Sequence, residues 1–253
     1  MSENKTPLPD VQSSADDRHI AIDRVGVRSV TVPVEVDDEQ GRQASVAEVS
    51  MTVDLAPEHK GTHMSRFVAL LAEELEPLSA ASVERLLAKM IDLLEARDGY
   101  IEFKLPFFVT KTAPVTGLKS LMNYKVRFLA ERRRGRTRVV QEIAAPVTSL
   151  CPCSKEISAY GAHNQRSELT IAAELNAPLS LLEQIRIDET SASCELWSRL
   201  KRADEKWVTE RAYDNPKFVE DIIRDMARQL NAEPRVDAYR IEAENFESIH
   251  NHS

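Results

Sequence analysis

From residue 30 the chain alternates. Val30, Val32, Val34 and Val36 are separated by Thr31, Pro33 and Glu35, the two-residue period of a strand with one buried face. The turn-like DDEQG follows, and Val49, Met51, Val53 and Leu55 alternate in turn, which predicts a β-hairpin. Pro33 cannot donate to a ladder, so the first strand is expected at an edge or a bulge. After Gly61 the period lengthens. Met64, Phe67, Val68, Leu71 and Leu75 fall at helical spacing, as do Val83, Leu86, Leu87, Met90 and Leu94 after a break at Pro77–Ser79. Gly99 is the expected end of this second helix. Strand patterns return at Ile101, Phe103 and Leu105, then at Tyr124, Val126, Phe128 and Ala130.

Past the turn-like RRRGR at 132–136, the order repeats. The extended run RVVQEIAAPVT leads into a cysteine-bearing segment, and Leu169, Ile171, Ala173 and Leu175 alternate. Leu181, Leu182 and Ile185 predict a helix, with a less regular stretch through Cys194 and Trp197. A well-marked helix is predicted over Asn215–Leu230, with Asn215 as N-cap, Pro216 in the first turn and Val219, Ile222, Ile223, Met226 and Leu230 as its stripe. Residues 235–243 read as extended. The expected fold class is α+β: two antiparallel sheets, each with two helices packed on one face. The units are expected at 21–134 and 135–253, behind a polar, flexible arm at 1–20.

Composition narrows the function classes. The 253 residues are 42% hydrophobic and 29% charged, enough for a sizeable core. A formal net charge of −8 argues against broad nucleic-acid binding, which needs a basic face. No apolar run reaches the ~18–20 residues of a membrane span, and the first residues lack the apolar core of a signal peptide. Three cysteines cannot all pair. A cytoplasmic protein with free thiols, no membrane partner and no nucleic-acid partner is the expectation.

The chemistry concentrates in SLCPCSKEISAYGAHNQRS, residues 149–167. Cys151 and Cys153 could be small buried side chains at a strand end. A redox pair would more usually be Cys-x-x-Cys, and a structural zinc site wants four ligands in paired spacing. A catalytic metal site needs three protein ligands of mixed type and an open position. Cys151 and His163 supply two. For the third, the residues alone leave His250, His252, Glu205 and Glu210 open. His59 and His63 flank KGT at a predicted helix start, a place for phosphate. Cys194 lies at helical spacing with Trp197 and reads as core.

Four blocks, HKGTHMSRF (59–67), PVTSLCPCSKEISAYGAHNQRS (146–167), ERAYDNPKFVED (210–221) and ENFESIHNHS (244–253), resemble the prokaryotic type IB GTP cyclohydrolases. The resemblance extends over most of the chain. It implies two tandem tunnelling-fold units per chain, a homotetramer, and hydrolysis of GTP at C8 to formate and 7,8-dihydroneopterin triphosphate. It implies a divalent metal (zinc, manganese or iron) on Cys151, His163 and His250, with Glu205 as a further ligand. Glu220 matches the glutamate that holds the purine, and Cys153, Glu247 and His250 fall near the chemistry. Lys60, Arg66, Lys155 and Arg166 are the candidate cations for the triphosphate. One segment points elsewhere: GLKSLMNY (117–124) partly resembles the signature of tunnelling-fold nitrile reductases, with Gly117 where that signature has glutamate.

Overall fold

A computed structural model describes residues 10–12, 14–39 and 41–253. Residues 1–9 and 13 of the expected arm therefore lie outside the described residues. The rest of the arm runs along the segment that precedes the first helix: Asp16 N–H donates to Glu58 O at 3.0 Å and Lys60 N–H to Ser14 O at 3.1 Å.

Strands β1 (Ile22–Asp38) and β2 (Gly41–Leu55) form the expected hairpin, and helices α1 (Met64–Glu73) and α2 (Ala80–Leu93) follow. Strands β3 (Gly99–Thr112), β4 (Lys119–Arg133) and β5 (Arg136–Leu150) lead to a short helix, α3 (Pro152–Ile157), and to β6 (Asn164–Leu175). The chain closes with α4 (Leu181–Ser191), the two-residue β7 (Cys194–Glu195), α5 (Arg202–Asp214), α6 (Val219–Asn231) and β8 (Val236–Asn245). Where two sheets were expected, β4 and β5 pair, so the strands form one eight-stranded sheet. Its order is β1-β2-β3-β4-β5-β6-β8, with β7 beside β5, and every pairing between these strands is antiparallel. Pro33 sits in β1, at an edge, as its missing N–H requires.

The period-2 pattern divides the faces. Val126, Phe128 and Ala130 of β4 are buried beneath the helices, together with Phe67, Met90 and Ile185. Lys125 and Arg127, which alternate with them, project from the opposite face. There Arg127 pairs with Glu102 at 3.0 Å and with Glu142, while Lys125 meets Glu168 at 2.7 Å. A second core cluster joins Ile222, Met226 and Leu230 of α6 to Val147, Leu169 and Ile171.

Two helix boundaries differ from expectation. α2 ends at Leu93, and Gly99 opens β3 instead of closing the helix. A Cβ at Gly99 would stand 2.8 Å from Ile91 Cγ1, so this crossing of strand and helix requires glycine. α6 begins at Val219, not at Asn215–Pro216, and Asn215 is the C-cap of α5. The Asn215 amide donates to Ala192 O and Ser193 O, each at 3.0 Å, so it serves as a staple and not as an N-cap acceptor.

Asp188 on α4 is fully buried, and neither carboxylate oxygen has a hydrogen-bond partner among the described residues. Burial pushes its pKa well up, and the charge of Glu189 adds to the shift. Below the unfolded-state value, about 4, both states hold the proton and the group has no effect on stability. As pH rises past that value, only the unfolded chain releases its proton, so Asp188 progressively destabilises the fold. Asp188→Asn should therefore melt with wild type near pH 4 and above it at pH 7. Parallel melting curves across that range would show that Asp188 does not titrate differently on folding.

Candidate active site

The site begins where β5 ends. β4 stops pairing with β5 at Ala144, and β7 takes over that edge opposite Val147 and Thr148. On the other edge, β6 stays paired to the last register position, Leu150 with Asn164. Cys151 is thus the first residue beyond the ladder. It is also the N-cap of α3, with Pro152 in the first turn, where a fixed φ suits the helix start. Its Sγ accepts from Ser154 N–H at 3.4 Å.

The same turn brings in His163. Cys151 N–H donates to His163 O at 3.2 Å, extending the β5–β6 ladder by one bond. Ser154 Oγ donates to Cys151 O at 3.1 Å and accepts from His163 N–H at 3.2 Å. The two residues expected to share a metal are therefore neighbours, stapled by Ser154. Cys151 is half-buried at the strand end, where it caps α3, and so is not a buried core side chain. Cys153 is exposed on α3, whereas Cys194 is buried and its thiol is pushed up to about 11 by burial. Cys194 is core, as expected, but it lies in the strand β7 and not on a helix, so the helical spacing with Trp197 is not what buries it.

The C-terminal segment reaches His163 from the far side of β6. β8 pairs with β6 as far as Asn245 opposite Ser167, and Phe246 N–H donates to Arg166 O at 2.9 Å. The chain then bends around Glu247, whose Oε1 accepts from Ser248 N–H at 3.1 Å and Ile249 N–H at 3.2 Å. His163 Nδ1 lies 3.1 Å from Ser248 Oγ and 3.5 Å from Glu247 Oε1. An imidazole whose Nδ1 is held by a carboxylate and a hydroxyl presents Nε2 as its ligating nitrogen. Ser248 and Ser154 were not foreseen from the sequence. The one signal was the position of Ser154, three residues after a helix-capping side chain.

Other expected ligands stand apart. His250 is exposed, and its ring stacks on His252 with centroids 5.4 Å apart. Glu205 is exposed in the first turn of α5. Among the described residues, no three His, Cys, Asp or Glu side chains converge on a position suited to a metal ion. The donor chemistry of the adjacent pair nevertheless suits one, since a thiolate and an imidazole are the ligands a borderline-soft divalent ion prefers.

The expected substrate-binding residues fall in two groups. Glu220 is exposed in the first turn of α6, and Lys217 N–H donates to Leu150 O at 3.1 Å, which sets that helix start beside the end of β5. Lys155 of α3 donates to Tyr213 O and lies 4.2 Å from the Tyr213 ring centroid. Arg166 is exposed on β6 beside Phe246. Lys60 and Arg66 belong to the opposite end of the sheet. Val53 pairs with Gly99, Gly99 with Arg132, and Arg132 with Thr137, so the end of β2 aligns with the start of β5. The 15 residues of β5 span roughly 50 Å at about 3.3 Å each. Arg66 lines a cavity of about 210 Å³ there, together with His59, His63 and Arg97.

The segment resembling a reductase signature runs into β4, with Met122 and Tyr124 buried and Gly117, Lys119, Leu121 and Asn123 exposed. Tyr124 is 1% exposed, and its hydroxyl donates to Glu189 Oε1 at 2.6 Å.

Residues 8–253 match the family model described as type I GTP cyclohydrolase folE2. The chain is 58% identical over 246 residues to a protein of Ralstonia nicotianae named GTP cyclohydrolase FolE2, covering 97% of this chain and 92% of that one. A protein of the same name from Burkholderia pseudomallei is 58% identical over 247 residues, covering 97% and 93%. Among solved structures, uricase from Arthrobacter globiformis superposes with a TM-score of 0.55 at 8% identity, covering 88% of this chain and 81% of that one. A hyperthermostable mutant of Bacillus sp. TB-90 urate oxidase gives 0.51 at 9%, covering 88% and 89%. These two likenesses are of fold alone, an α+β tunnelling-like arrangement of antiparallel sheet and helices.

Proposed function

The chain belongs to the type I GTP cyclohydrolase folE2 family, and from that premise we propose that it is the type IB enzyme, which hydrolyses GTP at C8 to formate and 7,8-dihydroneopterin triphosphate. It is an enzyme of the GTP cyclohydrolase I class, and the reaction opens folate synthesis in the cytoplasm. The observation that carries the reading is the junction of Cys151 and His163 through one backbone hydrogen bond and Ser154.

Those two residues would hold a divalent ion (zinc, manganese or iron); His250 and Glu205, which stand apart from them in this structure, would have to move to the site to serve as further ligands. The bound ion supplies Lewis acidity that lets water attack a poor electrophile such as guanine C8 near neutral pH. The chain's own groups do the remainder. Glu247 and Ser248 orient the His163 ring. Glu220 accepts the adjacent N1–H and 2-amino donors of guanine, a pairing two carboxylate oxygens suit. Ring opening needs protons delivered near N7 or N9, the work of Cys153, Glu247 or His250. Lys155 and Arg166 reach the triphosphate from the same chain. Lys60 and Arg66 lie at the far end of the sheet, so on this reading they serve the site of another copy. That division of labour, with β1 and β8 ending the strand order and only the Glu35–Asp37 stretch of β1 bridged on its outer side by Leu78, supports assembly of four tandem-unit chains into a tetramer.

Metal-free protein reconstituted with zinc, manganese or iron should release formate from GTP and generate pterin fluorescence, and chelation should abolish both. NADPH-dependent reduction of a nitrile without formate release would instead favour a reductase.

A further inference from the structure

Where β4 leaves β5, the edge of β5 must be closed by other groups. β7 pairs with Val147 and Thr148. The next residue facing that edge is Leu150, since both peptide groups of a strand residue in an antiparallel ladder point to one side. Its N–H donates to Ser193 Oγ at 3.1 Å, and its carbonyl accepts from Lys217 N–H at 3.1 Å. Ser193 is 1% exposed, so this bond has no ready substitute from water.

The two segments that supply these partners, 191–193 and 215–217, are bound to each other. Lys217 Nζ donates to Ser191 O at 2.9 Å and pairs with Asp225 Oδ2 at 2.6 Å, with its side chain 14% exposed. Asn215 bonds the carbonyls of Ala192 and Ser193. A closed ring results: the end of β5, the 191–193 segment and the 215–217 bend. Cys151 follows this ring on one side, and Glu220 stands three residues beyond Lys217 on the other.

We infer that Lys217 and Ser193 are positioning residues that fix the distance between the guanine-holding Glu220 and the metal-holding Cys151. The inference rests on the functional reading above. Without the ring, GTP still docks on Glu220, but C8 is displaced from Cys151, and a shift of about 1 Å can cost on the order of a hundredfold in rate. A binding defect would raise KM. A positioning defect lowers kcat.

The test compares wild type, Lys217→Met, Lys217→Arg and Ser193→Ala as full-length, metal-reconstituted proteins. Lys217→Met should lower kcat for GTP about tenfold or more, with KM within about twofold and metal content unchanged. Lys217→Arg, which keeps the donors to Ser191 O and Asp225, should recover most of the loss. Amide exchange of the 147–151 peptide, followed in metal-free protein, should accelerate about tenfold in Lys217→Met and Ser193→Ala. Should Lys217→Met fail to fold, Ser193→Ala must show the same kcat loss. Unchanged exchange, or a wild-type kcat in a folded variant, overturns the inference. Faster exchange together with a wild type that is inert toward GTP would leave the ring standing and remove the cyclohydrolase reading.

Discussion

Cys151→Ala protein should fold, yet release no measurable formate from GTP. Most of what holds residue 151 is backbone, since its N–H donates to His163 O and its carbonyl accepts from Ser154 Oγ. Those bonds survive the substitution. Only the Sγ contact with Ser154 N–H is lost, and removing a helix-capping acceptor costs about 1 kcal/mol. The catalytic loss should be far larger. Changes beyond the ligands of a metal cost about 10–100-fold, and loss of a ligand itself should exceed a hundredfold, with bound metal falling in parallel. Cys151→Ser separates the two roles, because a hydroxyl still caps α3 but is a poor substitute for thiolate. It should melt close to wild type and remain inactive. Normal turnover by either variant would remove Cys151 from the chemistry.

Much of this arrangement was legible in the chain, and the exceptions share a cause. The alternation of β1 to β6 is strong because each strand buries one face under helices, and α2 and α6 carry continuous apolar stripes. α5 was invisible because its buried side chains are Asp204 and Ala212, which form no stripe. It is held instead by Asp204, which accepts from the N–H groups of Val115, Thr116 and Lys201 and from the Thr116 hydroxyl. Burial alone would raise the pKa of that carboxyl, but these four donors hold it well below the ordinary range. Such bonds link residues far apart in sequence and leave no periodic trace. Asn215–Pro216 imitated a helix start because capping depends on where an amide points, and the acceptors it meets belong to residues 192 and 193. The merging of two expected sheets has the same origin, since only long-range pairing tells a hairpin from a boundary at Arg134–Gly135.

The site followed this pattern. Cys151 and His163 are close because they flank the end of one strand pair, a local relation that spacing can suggest. Glu247 and Ser248 arrive only because β8 pairs with β6, a non-local event. Lys60 and Arg66 share a chemical type with Lys155 and Arg166, but the register of four strands separates them. Residue type names candidates, and topology decides which of them can meet in one chain.

Glu220→Gln should weaken GTP-analogue binding by about 1–3 kcal/mol, because an amide donor then faces guanine's own donors and leaves them badly paired. Its surroundings make the test clean. Asp221, the next residue, is committed to the fold, accepting from Phe218 N–H at 3.2 Å and pairing with Arg224 at 3.1 Å. Glu220 is exposed and carries no such internal duty. As a surface carboxylate in the first turn of α6, its removal should cost stability only about 0.3–1 kcal/mol through the helix dipole. The hydrogen bond from Lys217 N–H to Leu150 O holds that turn beside the end of β5, so a base gripped by Glu220 stays within reach of the Cys151 loop. Affinity and turnover should therefore fall together. Metal content should stay at the wild-type level, since Glu220 is not a proposed ligand. Titration of metal-loaded protein with a non-hydrolysable GTP analogue, beside steady-state formate release, checks both. A variant that binds and turns over GTP as wild type does would make Glu220 an ordinary helix-surface residue and move purine recognition elsewhere.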